Sequence, residues 1–393
     1  MFVEKLGGRR WIGLRALVAA ALLIAPACGG GGDGGGGDDN GASADTSSAG
    51  TAGEPIHLTI GYQPYYTQAW SGVAMRGKEF WKKHLPQGST VTFQVGLQGA
   101  VIVNQLVAGK QQIGYMGDMP SLVATSKRDT RDLRIIATLG MAQDQCNIFL
   151  ASKDAPDFKS PTEAVEWMGG KTVATPTGSC TDRFTQAVFQ DLGVEPSAYL
   201  NQSIEVISSN FQNDRIDGAT VWEPVAARLV NQGLAKRVAS GASFDQNDAG
   251  FLVASQQLLD TRPDAVEGYL AAELEAQQWV ADPANAMELA QLAVNQTEGY
   301  TLEDMWDAMF ETLPADEGGP PDSLSNRMPF IVDDKAQEHI NKSWAFLNGI
   351  KVIPVAEPLE GIVADELARK VLTASGATFP VLVKTLPKSD FKG

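Results

Sequence analysis

The stretch VATPTGSCTDRF (173–184) breaks an apolar run at Pro176 and Gly178, then carries Ser179, Cys180, Thr181 and Asp182 into the periodic apolar positions Phe184, Ala187 and Val188. That order reads as strand, tight turn and helix N-terminus. Such a turn aims unpaired backbone N–H groups outward, so it can cradle a ligand, present Cys180 as a nucleophile, or only cap a helix. Nucleophilic chemistry needs an activating base, and nothing in the sequence marks one for Cys180. His57, His84 and His339 lie far apart and outside any HExxH, CxxC or zinc-ligand spacing. No GxSxG elbow, Walker loop or GxGxxG follows a strand, so no metal, cofactor or catalytic residue is expected.

Five further stretches share the character of that turn: GYQPYYTQAW (61–70), GLQGA (96–100), MGDMPS (116–121), TLGMAQDQC (138–146) and VWEP (221–224). The elements holding them alternate β-rich runs with helical patterns from residue 55 to about 250. The expected strands are HLTIGY, TVTFQVGL, IGYMG, LRIIATLG, NIFLAS, KTVAT, SIEVISS and GATVW, with helices such as SGVAMRGKEFWKK and AVIVNQLVAG between them. This is an α/β pattern, and in open α/β sheets ligands bind outside the carboxyl ends of strands, where these turns fall. Beyond about residue 255 the chain reads as amphipathic helices, interrupted by the loop PADEGGPPDS (314–323).

The first 27 residues carry Lys5, Arg9, Arg10 and Arg15 ahead of an apolar run from Leu14 to Ile24, the pattern of an export signal. They end at Ala25-Pro26-Ala27-Cys28-Gly29, similar to a bacterial lipobox, in which Cys28 is acylated. Ordinary cleavage after Ala27, leaving Cys28 free, is the alternative. Residues 28–54 have almost nothing apolar to bury and read as a disordered tether; its 25 residues from 29 to 53 reach roughly 25–30 Å. With the signal removed, one acid and four bases go and the formal charge falls from −16 to −19, which excludes nucleic acid as a partner. Cys146 and Cys180 are an even pair in an exported chain: a candidate disulfide, or two buried thiols.

GYQPYYTQAW, VNQLVAGKQQIGYMGDMPSLVA, GGKTVATPTGSCTDRFTQAVFQDLGV and RIDGATVWEPVAARL, in this order, resemble the successive motifs of the nitrate/sulfonate/taurine substrate-binding proteins of ABC importers, which are related to thiamine-pyrimidine-binding proteins. The resemblance implies the type II periplasmic-binding-protein fold: two α/β lobes with a ligand cleft between them and a mostly helical C-terminal part. Lobe I would comprise 55–142 and 248–393, and lobe II 143–247. Ligand-facing candidates by this resemblance are Gln63, Tyr65, Tyr66, Gln98, Gly99 and Asp118 from one lobe. The other contributes Thr177, Ser179, Cys180, Thr181, Trp222 and Glu223.

Asp182 stands where relatives often carry His, and Ser179–Asp182 fits a capping box that would occupy the helix N-terminus with a carboxylate. With Asp118, Asp144, Asp182 and Glu223 in cleft turns near aromatic residues, an amine-bearing ligand is expected over a purely anionic one. Together these features describe an extracytoplasmic, lipid-anchored, monomeric protein that captures a small nitrogen- or sulfur-containing organic solute by lobe closure and delivers it to an ABC permease. Two other readings remain, a pyrimidine-synthase-like enzyme on the same fold and a sensory binding module without a transporter.

Overall fold

The computed structural model describes residues 52–393. The export segment 1–27, Cys28 and the tether as far as residue 51 lie outside the described residues. Where the tether's end becomes described it is already tied down, because Gly53 N donates to Asp264 Oδ2 at 2.8 Å and Arg262 donates to the Glu54 carbonyl at 2.7 Å.

Twelve strands are present among the described residues: β1 (His57–Tyr62), β2 (Thr90–Val95), β3 (Ile113–Gly117), β4 (Leu133–Ala142), β5 (Ile148–Ser152), β6 (Thr172–Thr175), β7 (Ala198–Asn201), β8 (Gly218–Val221), β9 (Ala235–Ser240), β10 (Asp248–Ser255), β11 (Leu324–Met328) and β12 (Val381–Lys384). They form a seven-stranded sheet in the order β12-β11-β4-β10-β3-β1-β2 and a five-stranded sheet in the order β7-β6-β8-β5-β9. The chain leaves the larger sheet after β4, builds the smaller one, and returns as β10, which pairs antiparallel with β4. The two crossing segments touch at Gly241, where a Cβ would sit 2.2 Å from the Gln246 carbonyl and 2.4 Å from that of Gln143. Only glycine lets them run so close.

Seven of the eight expected strands are present, but SIEVISS is helix Ile204–Gln212. Ser203 caps it by accepting from Val206 N, and Ile204, Ile207 and Phe211 are buried at helical spacing, which outweighs the β-branched composition. The expected C-terminal helices form, with Trp306 and Trp344 fully buried in the core, yet the same region also supplies β11 and β12. Those two strands are short and lie at one edge of the sheet, so neither shows a long alternating pattern. No described helix is long and apolar enough to cross a membrane.

Inside the larger core, Glu273 of helix Pro263–Ala281 accepts from Tyr115 Oη at 2.7 Å and from Gln277 Nε2 at 3.0 Å. Burial pushes its carboxyl up to about 7, against hydrogen bonds that pull the other way. Between its ordinary range and that value the folded chain holds a proton the unfolded chain has released. Stability therefore falls as pH rises from about 5 to 7, by up to ~1.4 kcal/mol per pH unit for one such proton. Asp144 (about 6) and Glu223 (about 7) act with the same sign. Glu273→Gln should remove one proton's share of the slope in urea unfolding followed across this range; an unchanged slope would mean that Glu273 is ionised in the fold.

Candidate ligand-binding site

Each sheet carries parallel strands, β1 with β2 and β3 in the larger and β6 with β7 and β8 in the smaller. Helices starting beyond the carboxyl ends of β2, β3 and β6 open onto one cavity of about 350 Å³ between the sheets. They are Gly99–Val107, Asp118–Ser126 and Cys180–Leu192. Three helix starts thus converge on one space, two of them presenting free N–H groups and the third carrying the Asp118 carboxylate on Met119 N. The backbone N–H groups of Gly99, Ala100, Cys180 and Thr181 find no acceptor among the described residues.

Glycine at 99 permits this convergence, since a Cβ there would lie 2.3 Å from Pro120 Cγ of the neighbouring helix. Gln63 stands next to Gly99, and its buried Oε1 has no hydrogen-bond partner. A buried acceptor without a donor is costly, and here it borders the cavity. Apolar walls come from Val103, Pro120, Val123, Pro176 and the Trp222 ring. The Trp222 indole N–H is held by the Tyr65 carbonyl at 3.0 Å, which fixes the ring's position. Among the residues lining the cavity only Lys127, at the rim, carries a full charge.

The model of the NMT1-like family matches residues 51–294. The chain belongs to the NMT1-like family. The taurine-binding periplasmic protein of Escherichia coli (strain K12) is 26% identical over 253 residues, 61% of this chain and 74% of that protein. The nitrate/nitrite binding protein NrtA of Synechococcus elongatus is 28% identical over 374 residues, 88% of this chain and 83% of that protein. Among solved structures, the periplasmic aliphatic sulphonate binding protein SsuA from Escherichia coli superposes with a TM-score of 0.62 at 17% identity, covering 79% of this chain and 92% of that one. The fold is that of the periplasmic solute-binding proteins. The desulfurization enzyme DSZB also shares it, with a TM-score of 0.59 at 15% identity over 81% of this chain and 99% of that one, so the fold alone does not separate binding from catalysis.

In this NMT1-like chain, the cavity brings together Gln63, Tyr66, Gln98, Gly99, Thr177, Ser179, Cys180 and Trp222 of the sequence-derived candidates. The other six are not among its lining residues. Tyr65 packs its ring against Tyr300, and its hydroxyl accepts from Glu298 N. The Thr181 hydroxyl bonds those of Thr175 and Ser179.

The four acids expected to meet an amine also find partners elsewhere. Asp118 accepts from His339 Nε2 at 2.7 Å and Ser343 Oγ at 2.8 Å. Burial raises its pKa, but these bonds and the charge of Arg183 outweigh burial and keep the carboxyl below its ordinary range. Glu223 pairs with Arg237, and Asp144 is buried beside Gln145. Asp182 accepts from Gly178 N, Gln186 Nε2 and Tyr199 Oη, all at 2.7–2.8 Å. The expected reciprocal capping box is therefore half present: Ser179 Oγ accepts from Asp182 N, while the carboxylate takes Gly178 N and leaves the cavity face clear. A helix's first turn offers an acid several directions, and local sequence does not choose among them.

Sequence reasoning missed Asn104, Val103, Val123 and Lys127. Val103 and Asn104 follow Gly99 and Ala100 at helical spacing, so projecting the face of the helix would have found them. Cys146 and Cys180 form a disulfide with Cα atoms 6.2 Å apart, which settles the open pairing. It also removes Cys180 as a nucleophile in this state. Cys146, Cys180 and Asp248 are near enough to share a metal ion, but the two sulfurs are bonded to each other.

Because Gly99 meets Pro120 directly, Gly99→Ala should lower stability by about 1–3 kcal/mol, read as a fall in the urea midpoint at unchanged slope. An unchanged midpoint would show that the helix starts can separate freely.

Proposed function

We propose that the protein is an extracytoplasmic solute-binding protein of an ABC importer, and that its solute is a small organic oxyanion with an apolar body, such as a sulfonate. One observation carries this reading: two helix N-termini with unpaired N–H groups, at Gly99–Ala100 and Cys180–Thr181, meet at a cavity whose lining holds no acid and is walled by apolar side chains. The relatives named for taurine, nitrate and aliphatic sulphonate support it. Gln63, Gln98, Gly99, Thr177, Ser179, Cys180 and Trp222 would contact the solute, with Tyr66 behind them. Segments 55–142 and 248–393 would move as one body against 143–247, closing on the solute before a membrane permease receives it.

An aminosulfonate is a second reading, favoured by the unpaired Gln63 Oε1, which an ammonium N–H would satisfy. Binding without catalysis is supported by the bonded state of Cys180 and by a lining that holds no carboxylate and no histidine.

The test is a thermal-shift and calorimetric panel of alkanesulfonates, taurine, nitrate and simple amines. A sulfonate at a hundredfold excess over its Kd should stabilise the fold by ~2.7 kcal/mol, whereas amines without an acid should not bind. Gln63→Met should weaken taurine more than propanesulfonate if the amide meets the ammonium. Binding of amines alone would overturn the oxyanion reading.

We also propose acylation of Cys28 as the membrane anchor, with a monomeric mature protein. Cys28→Ser should move the protein from the membrane fraction to the soluble one, and unchanged fractionation would exclude a lipid on Cys28.

A further inference from the structure

A second cavity, of about 380 Å³, lies behind the wall of the first. Two elements are common to both. Helix Cys180–Leu192 presents Cys180 to the solute cavity and Arg183, one turn on, to the second. Helix Asp118–Ser126 begins at Gly117 beside the solute cavity, and its Asp118 is held by His339, which lines the second.

The second cavity differs from the first in character. It is lined by Arg183, Arg327, Lys335 and Lys342 together with His339, against the acids Asp245, Asp322 and Glu338. In a chain of formal charge −16 this is a local excess of base over acid. Two of the bases are already committed: Arg327 pairs with Asp333, and Lys342 with Glu338 at 2.8 Å. Lys335 is exposed and makes no ion pair among the described residues.

Arg183 is the telling group. Only 7% of it is exposed, its Nη2 donates to the Asn247 carbonyl and its Nη1 reaches Gln246 Oε1 at 3.5 Å, while Nε has no partner. No carboxylate bonds it directly among the described residues, though Asp118 and Asp248 lie near enough for its charge to act on both. A buried guanidinium whose direct bonds all go to neutral oxygens, with Nε unbonded, keeps donor capacity that an anion in the cavity would take up. Its fork geometry suits a tetrahedral or planar oxyanion.

We propose that this cavity is a second anion site, taking a small multivalent oxyanion such as phosphate, sulfate or a polycarboxylate between Arg183 and the basic face of Arg327 and Lys335. The site joins both parts of the molecule. Arg183 belongs to the half carrying the five-stranded sheet, and Arg327 and Lys335 to the half carrying the seven-stranded one. An anion bound there favours the arrangement in which these bases face one another, and so couples to solute binding through the shared wall.

The experiment is calorimetric and thermal titration of the purified protein with inorganic phosphate, using sodium chloride at matched ionic strength as control, and sulfate and citrate as parallel arms. Phosphate should raise the melting temperature beyond the chloride control, and Lys335→Glu, an exposed substitution, should weaken its binding at least tenfold. Arg183→Gln should abolish binding if the variant folds by circular dichroism. Gln63→Met, in the solute cavity, should leave phosphate affinity unchanged. The ranking of phosphate, sulfate and citrate identifies which oxyanion the site prefers. No phosphate effect beyond chloride would overturn the proposal, as would phosphate binding lost in Gln63→Met and retained in Lys335→Glu. These outcomes are independent of whether a sulfonate occupies the first cavity.

Discussion

Ala142 and Asp248 are partners at the end of the β4–β10 ladder, and the rest of the molecule depends on that pairing. The chain leaves the larger sheet at one of these residues and returns at the other, so the whole five-stranded half is joined to it through the ends of two adjacent interior strands. Both crossings must then run side by side, which is why Gly241 has no room for a side chain. The Cys146–Cys180 disulfide fastens the outgoing crossing to the first residue of a helix that lines the solute cavity. Asp248 accepts from Tyr66 and Gln68, which fastens the returning crossing to the first turn of the other half. Burial pushes the Asp248 carboxyl well above its ordinary range, against the pull of the nearby Arg183 charge. The cavity lies where attachment and turns coincide.

Charge is distributed inside this frame in a way that composition conceals. The chain is strongly acidic, yet the acids nearest the cavity are drawn into bonds with His339, Arg237, Tyr199 and backbone N–H groups. What faces the cavity is peptide N–H at two helix starts, Gly99–Ala100 and Cys180–Thr181. Partial charges of this kind do not titrate, so recognition of an oxyanion would be insensitive to pH over the range where side chains change state. They also carry no counterion to displace before the solute arrives.

The turns were legible in the sequence because Gly, Pro and Ser at strand ends report backbone geometry directly: Gly99, Gly117 and Ser179 all stand at the helix starts that line the cavity. Most strands were legible for the same reason, being framed by such punctuation. The orientation of Asp118, Asp182 and Glu223 was not, because each carboxylate is placed by a partner distant in sequence or by a choice between two adjacent N–H groups. His339 is 221 residues from Asp118, and no local pattern announces their contact. SIEVISS misled because β-branched residues fit both periods, and the deciding evidence was the Ser203 cap and burial at positions 204, 207 and 211.

Contacts away from the crossings would resist any separation of the halves. Asn231 Nδ2 donates to Asp304 and Asp307 at 3.0 Å, Arg228 lies 4.4 Å from the Tyr300 ring centroid, and Trp222 holds the Tyr65 carbonyl. Each links helix Val225–Asn231 or the turn before it to the other half. Half-buried contacts of these kinds contribute about 0.5–2 kcal/mol apiece, so together they hold the halves by a few kcal/mol. A solute bound with micromolar affinity supplies ~8 kcal/mol, which exceeds that sum without dwarfing it. The balance fits a protein whose two arrangements must both be reachable. Halves latched much more tightly would not admit a solute, and halves without these contacts would leave closure to the solute alone.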